Sequence, residues 1–339
     1  MKVLKNRLIY LSISAIFFVI SIFLILVPKL NLGIDMTWGT QAEYSYDSWI
    51  DIEKMRKSLN EESKNILLDE SEVVNAVSVY KVSGENKIAV VVWFDSSIDD
   101  KSLDVLKTSF RDKVLELLQQ EDESVIEDSY TNIWKSFGDY IKNTAIITLL
   151  IAIIAITFYV TYSFSWVVSG ISVLSFSLIT IVTLFHDVII STGLYIALSM
   201  YFPEFKIDTF FITALLTIIG YSINDTIVIF DRIRWNLKQY AGKTWKLGKT
   251  LEQIIDISVT ETLKRSIYTS LTLLFVLITI FLFWPESIKW FILVMIFGTI
   301  VGTYSSIFIA SPILFIVNKN KTLWVYKKLE IKPEDKIVV

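Results

Sequence analysis

The hydrophobic pattern of this chain changes its period several times. Residues 8–27 are apolar and carry no charge, the ~20-residue length that one helical crossing of a bilayer needs. Residues 143–185 are again free of charge but too long for one crossing, and they break at the polar, aromatic run "TYSFSW" at 161–166. The pattern predicts a second span at about 143–161 and a third at about 168–200, the third over-long and holding His186 and Asp187. A fourth is expected at about 209–230, a fifth at 266–284 and a sixth at about 290–317, with Pro285 turning the chain between the last two. Between the first two spans the period falls to two. "QAEYSY" (41–46), "VVNAVSVYKV" (73–82) and "KIAVVVWF" (87–94) read as strands, the last two joined by the turn "SGEN". Residues 48–68 and 103–120 read as helices, the first with Ser48 as a cap, and a short strand follows at 124–128. The order β-α-β-β-α-β is that of the ferredoxin-like split motif. The expected architecture is a polytopic α-helical membrane protein with six transmembrane helices and one α+β ferredoxin-like extracytoplasmic domain between spans one and two.

Charge gives this arrangement a direction. Residues 31–138 carry 22 acidic against 11 basic side chains, whereas the whole chain is only −3. Lys and Arg gather in three other places: before span one (Lys2, Lys5, Arg7), at 232–265, and after span six (Lys319, Lys321, Lys327, Lys328, Lys332, Lys336). With six spans these three segments share one side, and the excess of Lys and Arg marks it as cytoplasmic. Both termini are therefore expected in the cytoplasm. The divisions are an N-terminal segment with span one (1–30), an extracytoplasmic domain (31–138), spans two to six with a cytoplasmic loop at 231–265 (139–317), and a basic tail (318–339). Pro28 and Lys29 follow span one where a cleavage site would need small residues, so the span reads as an uncleaved anchor.

Composition removes several functions. There is no cysteine, and the single histidine is too few for a multi-histidine metal site. No glycine-rich phosphate loop is present, and His186 belongs to no Ser–His–Asp pattern. No catalytic residue, metal or cofactor is expected, the chain does not read as an enzyme, and its sided charge fits a membrane better than a nucleic acid.

The stretch "GYSINDTIVIFDRIR" (220–234) raises the functional question, because it puts Asn224 and Asp225 inside a span. A charge near the bilayer centre costs at least ~2.5–3.5 kcal/mol. Asp225 lies about five residues, or roughly 8–9 Å, from the cytoplasmic end of span four, and Arg265 opens span five from the same side. A carboxylate beside a guanidinium ionises; buried without one it keeps its proton. A pair that forms and breaks is thus a workable proton switch. The plainer alternative is that Arg265 snorkels to the headgroups and Asp225 holds helices together by local hydrogen bonds. Asp187 is a candidate for lining a polar path, His186 reads as a packing or hydrogen-bonding residue, and Asp231 sits at the interface beside Arg232 and Arg234.

These residues also carry a resemblance. "ALLTIIGYSINDTIVIFDRIRWNLK" (214–238) resembles the fourth-span signature of the SecF family, membrane subunits accessory to the Sec protein-export machinery within the resistance–nodulation–division superfamily. "LGIDMTWGT" (32–40) resembles the family motif after span one and matches it at Gly33, Asp35, Thr37, Gly39 and Thr40; "HDVIISTGL" (186–194), "TETLKRSIYTSL" (260–271) and "GTIVGTYSSIFIASPIL" (298–314) resemble spans three, five and six. The resemblance implies that Asp225 and Arg265 form a proton relay, with Asn224, Asp187 and His186 as supporting intramembrane polar residues. It implies a SecD-like partner subunit, the Sec protein-conducting channel, unfolded exported polypeptides and membrane lipid as partners, a bacterial inner-membrane location, and proton-driven late export and membrane insertion. Two departures are a slightly longer loop between Asp225 and Arg265 and an extended third span. The competing functions are a half-transporter for a lipid or small amphiphile and a passive translocon scaffold.

Tryptophan also stands at 38, 284 and 290 where the family pattern carries glycine, and the chain has 11 Gly against 10 Trp. Some of these tryptophans are expected to be UGA codons that the source genome reads as glycine, Trp38 being the least suited to an indole.

Overall fold

The computed structural model describes residues 3–27, 30, 32–37, 39–47, 50–64, 67–68, 71–82, 86–94, 100–133, 135–165, 171–202, 205–239, 249–283 and 286–319. Six helices in it are long and apolar enough to cross a membrane. Helix α1 (Arg7–Leu26) comes first. A single helical turn, α2 (Ile34–Thr37), leads from it into the strand β1 (Gly39–Ser45). The sheet region continues with α3 (Ile52–Lys64), β2 (Leu67–Leu68), β3 (Ser71–Glu72), β4 (Val74–Val82), β5 (Lys87–Phe94), α4 (Asp100–Glu121) and β6 (Ile126–Ile133). The remaining helices are α5 (Lys135–Ser165), α6 (Val173–Ser199), α7 (Thr209–Gln239), α8 (Leu251–Phe283) and α9 (Glu286–Ser305). A π-helical turn, Ser306–Ala310, joins α9 to α10 (Ser311–Asn318), so the sixth span is one continuous rod.

Four strands form one sheet in the order β4-β5-β1-β6, with every neighbouring pair antiparallel. Alternation puts Ala42, Tyr44, Val77, Val79, Ile88, Val90 and Val92 on one face, where Met55 and Leu59 of α3 and Phe110, Val114 and Leu118 of α4 cover them. The helix expected from residue 48 starts later. Asp51 caps it, its Oδ1 accepting the backbone N–H of Glu53 at 3.0 Å and of Lys54 at 3.1 Å; Ser48 lies outside the described residues. It also ends early, because Leu67 and Leu68 pair with Glu72 and Ser71 in a two-strand ribbon. The closing strand runs to Ile133, beyond the expected 128.

In the bundle, α6, α7 and the sixth-span rod are the inner members. α1, α5 and α8 keep large apolar side chains such as Phe23, Ile154, Phe158, Phe275 and Leu282 on the outside, as lipid or a second apolar subunit requires. The segment read as a cytoplasmic loop is largely helix. α7 continues to Gln239, and α8 begins at Leu251 behind a reciprocal cap: Thr250 N–H donates to Gln253 Oε1 at 3.1 Å, and Gln253 N–H donates to Thr250 Oγ1 at 3.3 Å. A stripe of Phe230, Ile233 and Leu237 packs in the same core as Leu251, Ile254, Ile255 and Val259, so packing sustains these helices past the membrane boundary that charge marks. α5 runs on to Ser165, a few residues past the expected end at about 161, and Trp166 lies outside the described residues. Trp38 and Trp284 lie outside the described residues. Trp290 meets Phe205 with ring centroids 4.1 Å apart and the planes tilted by 36°.

Candidate ion-relay site in the helix bundle

The site depends on how closely α7 and α9 approach. A Cβ added at Gly298 would overlap Ile218, and one at Gly302, a turn later, would press on Ser222 at 3.0 Å. Small residues at this spacing let membrane helices pack backbone to backbone. The π turn that follows widens the rod, a distortion often found at functional sites. Around it Ser305 and Ser306, adjacent and fully buried, reach different neighbours.

Asp187 on α6 is one centre of this polar interior. Its Oδ2 accepts the hydroxyls of Ser222 on α7 and of Ser305, the latter at 2.8 Å, and its Oδ1 accepts from His186 Nδ1 at 2.8 Å. That leaves His186 Nε2 to accept the hydroxyl of Ser14 on α1. Four spans are thereby tied through one carboxylate. His186, read from the sequence as a hydrogen-bonding residue, is one, and Asp187 is fully buried.

Asp225 is the other centre and differs in kind. It is 3% exposed, on the inner face of α7 one turn beyond Ser222, and its Oδ2 has no hydrogen-bond partner among the described residues. Arg265 on α8 is near enough to bear electrostatically on this carboxylate, yet no ion pair joins Asp225 to Arg265. Arg265 is exposed, and the buried Ser266 hydroxyl is also without a partner among the described residues. A turn away, Tyr221 donates to Ser270 at 2.7 Å, and Ser270 lies 2.6 Å from Thr303 Oγ1, continuing the polar seam between α7, α8 and α9. Thr226 meets Ser306 at 3.0 Å on the other flank. Asn224 is not part of the cluster. It is exposed, its ~100° step round the helix from Asp225 taking it away from the inner face, whereas the opposite step keeps Thr226 buried.

Further along α7, Asp231 pairs with Arg234 at 2.7 Å, and Arg232 with Glu261 of α8 at 2.7 Å. Asn236 donates to Ser258 at 2.9 Å and to Glu261 at 2.7 Å. These bonds staple the extended ends of α7 and α8 together.

The residues after span one sit at the opposite end. Gly39 has φ +148°, and a Cβ there would strike the carbonyl of Val92, so the position takes glycine. Thr37 Oγ1 donates to the Gly33 carbonyl at 2.8 Å and accepts from Trp93 Nε1 at 2.9 Å. Thr40 is buried in β1, and Asp35 accepts the backbone N–H of Thr209 at 2.6 Å, at the start of α7. Beside it, burial pushes the Asp208 carboxyl up to about 6, assisted by repulsion from Asp35 and opposed by its bond from Phe211 N–H. A raised carboxyl value means that Asp208 favours the folded state fully below about pH 4 and loses that contribution as pH rises through about 6. Asp208→Asn, which still caps the helix, is therefore expected to raise stability by roughly 1–3 kcal/mol at pH 7.5 and by nothing measurable below pH 4, read from thermal unfolding in detergent.

Sequence reasoning missed Ser14, Ser222, Ser266, Ser305 and the π turn. The available signal was serine within apolar spans, but hydropathy does not distinguish an inward serine from an outward one.

Comparison with known proteins bears on this interior. The family model described as "Protein export membrane protein SecD/SecF, C-terminal" matches residues 113–320. The protein translocase subunit SecF of Sebaldella termitidis is 31% identical over 326 residues, covering 95% of this chain and 93% of that protein. The chain belongs to the SecF family. The SecF of Thermodesulfovibrio yellowstonii is 33% identical over 94% of this chain and 95% of its own length. Among solved structures, SecDF of Thermus thermophilus, a translocon-associated membrane protein, superposes with a TM-score of 0.74 at 24% identity, over 95% of this chain. The present chain spans 39% of that longer protein. At that identity the likeness shows the fold. SecDF in a super-membrane-facing form superposes less closely, with a TM-score of 0.61. This SecF-family chain is thus a multi-pass membrane protein, with six helices long and apolar enough to span.

Proposed function

We propose that this SecF-family chain works as an accessory subunit of the Sec translocase, with a SecD-like subunit completing the helix bundle, and that it couples the proton gradient to late export and membrane insertion. One observation carries the coupling: Asp225 presents a buried carboxylate oxygen with no hydrogen-bond partner among the described residues, next to a helix whose Arg265 stands apart from it. Asp187, by contrast, is fully engaged by His186, Ser222 and Ser305 and serves to hold the bundle. In the working cycle a proton on Asp225 keeps the carboxyl neutral in its apolar surroundings. Approach of the Arg265 guanidinium favours release, and withdrawal favours recapture. Ser266 and the Tyr221–Ser270–Thr303 seam supply hydroxyls along which the carboxyl can be hydrogen-bonded in either state.

The apolar outer faces of α1, α5 and α8 are the surface on which the SecD-like half packs, and the sheet region is the extracytoplasmic ferredoxin-like domain. Its strand order β4-β5-β1-β6, with two covering helices, supports that reading. The Sec channel and unfolded exported chains are the further partners, and the bacterial inner membrane the location, with both termini cytoplasmic. Co-purification from native membranes tests the assignment: a SecD-like protein is expected to come with the chain, and its consistent absence at full recovery would contradict the reading. Protease added outside spheroplasts is expected to remove 31–138 and leave the helices. Cleavage of that segment only from the cytoplasmic side would invert the orientation.

A further inference from the structure

We propose that the motif at 32–37 and the connector at 205–209 form a rigid joint that makes the extracytoplasmic sheet and helix α7 move as one body, with Asp35 as its positioning residue. The consequence for export rests on the relay reading of Asp225; the joint itself does not.

Three independent sets of bonds close the joint. First, Leu32 and Ile207 form a parallel backbone bridge, and Gly33 N–H donates to the Ile207 carbonyl at 2.8 Å. Second, Asp35 Oδ2 accepts both the backbone N–H and the hydroxyl of Thr209, while Asp208 Oδ1 accepts Phe211 N–H at 2.7 Å. Two carboxylates thus cap one helix start, where the helix dipole favours negative charge. Third, Lys206 Nζ donates to Tyr80 OH on β4 at 2.7 Å and lies 4.4 Å from the centre of that ring. On the other side, Tyr195 of α6 donates to the Lys206 carbonyl at 2.8 Å.

The sheet end is equally tied. α2 runs into β1 after one residue, and Trp93 of β5 bonds Thr37. β1, β4 and β5, three of the four sheet strands, therefore hold the joint. From Thr209 the helix continues without a break to Gln239. Asp225 is 16 residues along it, about 24 Å from the joint. A helix of this length transmits a tilt or a piston movement without an intervening hinge. The motif after span one therefore attaches the domain that contacts the outside to the helix that carries the titratable carboxyl.

The absence of cysteine makes the test clean. Spin labels on Ala76→Cys, exposed on β4, and Lys238→Cys, exposed near the end of α7, report the distance across the joint in the full chain reconstituted with its partner subunit. One narrow distance is expected, unchanged when a proton gradient is imposed. Asp35→Ala is expected to broaden it and to reduce gradient-driven export roughly tenfold, the population shift that losing one capping carboxylate produces. Oxidising a Leu32→Cys/Ile207→Cys pair, whose bridge places the two within disulfide reach, is expected to restore the narrow distance and the export of Asp35→Ala, and a reductant to remove both again. A distance in the parent protein that shifts with the gradient would overturn the proposal. So would an Asp35→Ala protein with an unchanged distance, or a disulfide that abolishes export. Normal export by Asp225→Asn would count against the relay alone, because the spin-label distance does not depend on it.

Discussion

Asp225→Asn is expected to reduce export to the rate seen with no gradient, while the protein still inserts and still binds its partner. The substitution keeps the shape of the side chain and exchanges a titratable oxygen for an amide. Asp225 Oδ2 has no hydrogen-bond partner among the described residues, so no bond is lost at that oxygen when it is replaced. The stability effect should fall within the ordinary range for a conservative change, about 1 kcal/mol or less. Function is another matter, because an amide does not take up or release a proton at any accessible pH. Initial export rates in membrane vesicles, with and without a gradient, check this. A mutant that keeps both the normal rate and its gradient dependence would favour the scaffold reading. Asp187→Asn is the informative contrast. Asp187 holds three spans to its own through Ser14-bonded His186, Ser222 and Ser305, so its replacement is expected to lower stability and yield as well as activity.

Arg265→Ala is expected to abolish gradient-driven export, and Arg265→Lys to lower it by roughly tenfold, the scale of one weakened charge-assisted hydrogen bond. Lysine keeps the charge but lacks the planar fork that grips a carboxylate through two N–H groups. Neither change should alter thermal stability by more than about 0.5 kcal/mol, since Arg265 is exposed and makes no ion pair with Asp225 in this state. That combination, a large loss of export with unchanged stability, separates a moving partner of Asp225 from a headgroup anchor. Near-normal export in both variants would identify Arg265 as an anchor.

Much of the membrane architecture was legible because a span announces itself by what it lacks. Long apolar runs, two of them interrupted by Asp187 and Asp225, pointed to the six helices that are long and apolar enough to cross a membrane. The ends of α7 and α8 were not legible by that route. Hydropathy marks where lipid stops, whereas these helices stop where their packing stops, and the bonds from Arg232 and Asn236 to Glu261 are made between segments that both look like loop. In the sheet, "KIAVVVWF" coincided with β5 residue for residue. Asp51 was harder to recognise as the helix cap, since Ser48 and Asp51 are both capping types and only the bonds to Glu53 and Lys54 decide.

The polar interior was legible in its carboxylates and not in its serines. An aspartate in an apolar run is anomalous on any scale. Ser14, Ser222 and Ser305 are not, and nothing local shows that residues so far apart converge on Asp187. The same holds for Asp35. The motif around it resembled a family pattern, but its partner Thr209 lies 174 positions away, beyond any periodicity. Asn224, which the resemblance gave a supporting role, is exposed on α7 while Asp225 beside it is buried, a difference that sequence adjacency does not reveal.

The central claim is that Asp225 takes up and releases a proton. Infrared difference spectroscopy of the reconstituted complex reads it directly. On acidification a carboxylic-acid C=O band should appear in the parent protein and be missing from Asp225→Asn, with the Arg265→Ala protein retaining the band to higher pH because the guanidinium no longer favours release. A parent protein with the same pH-dependent carboxyl bands as Asp225→Asn would contradict the account.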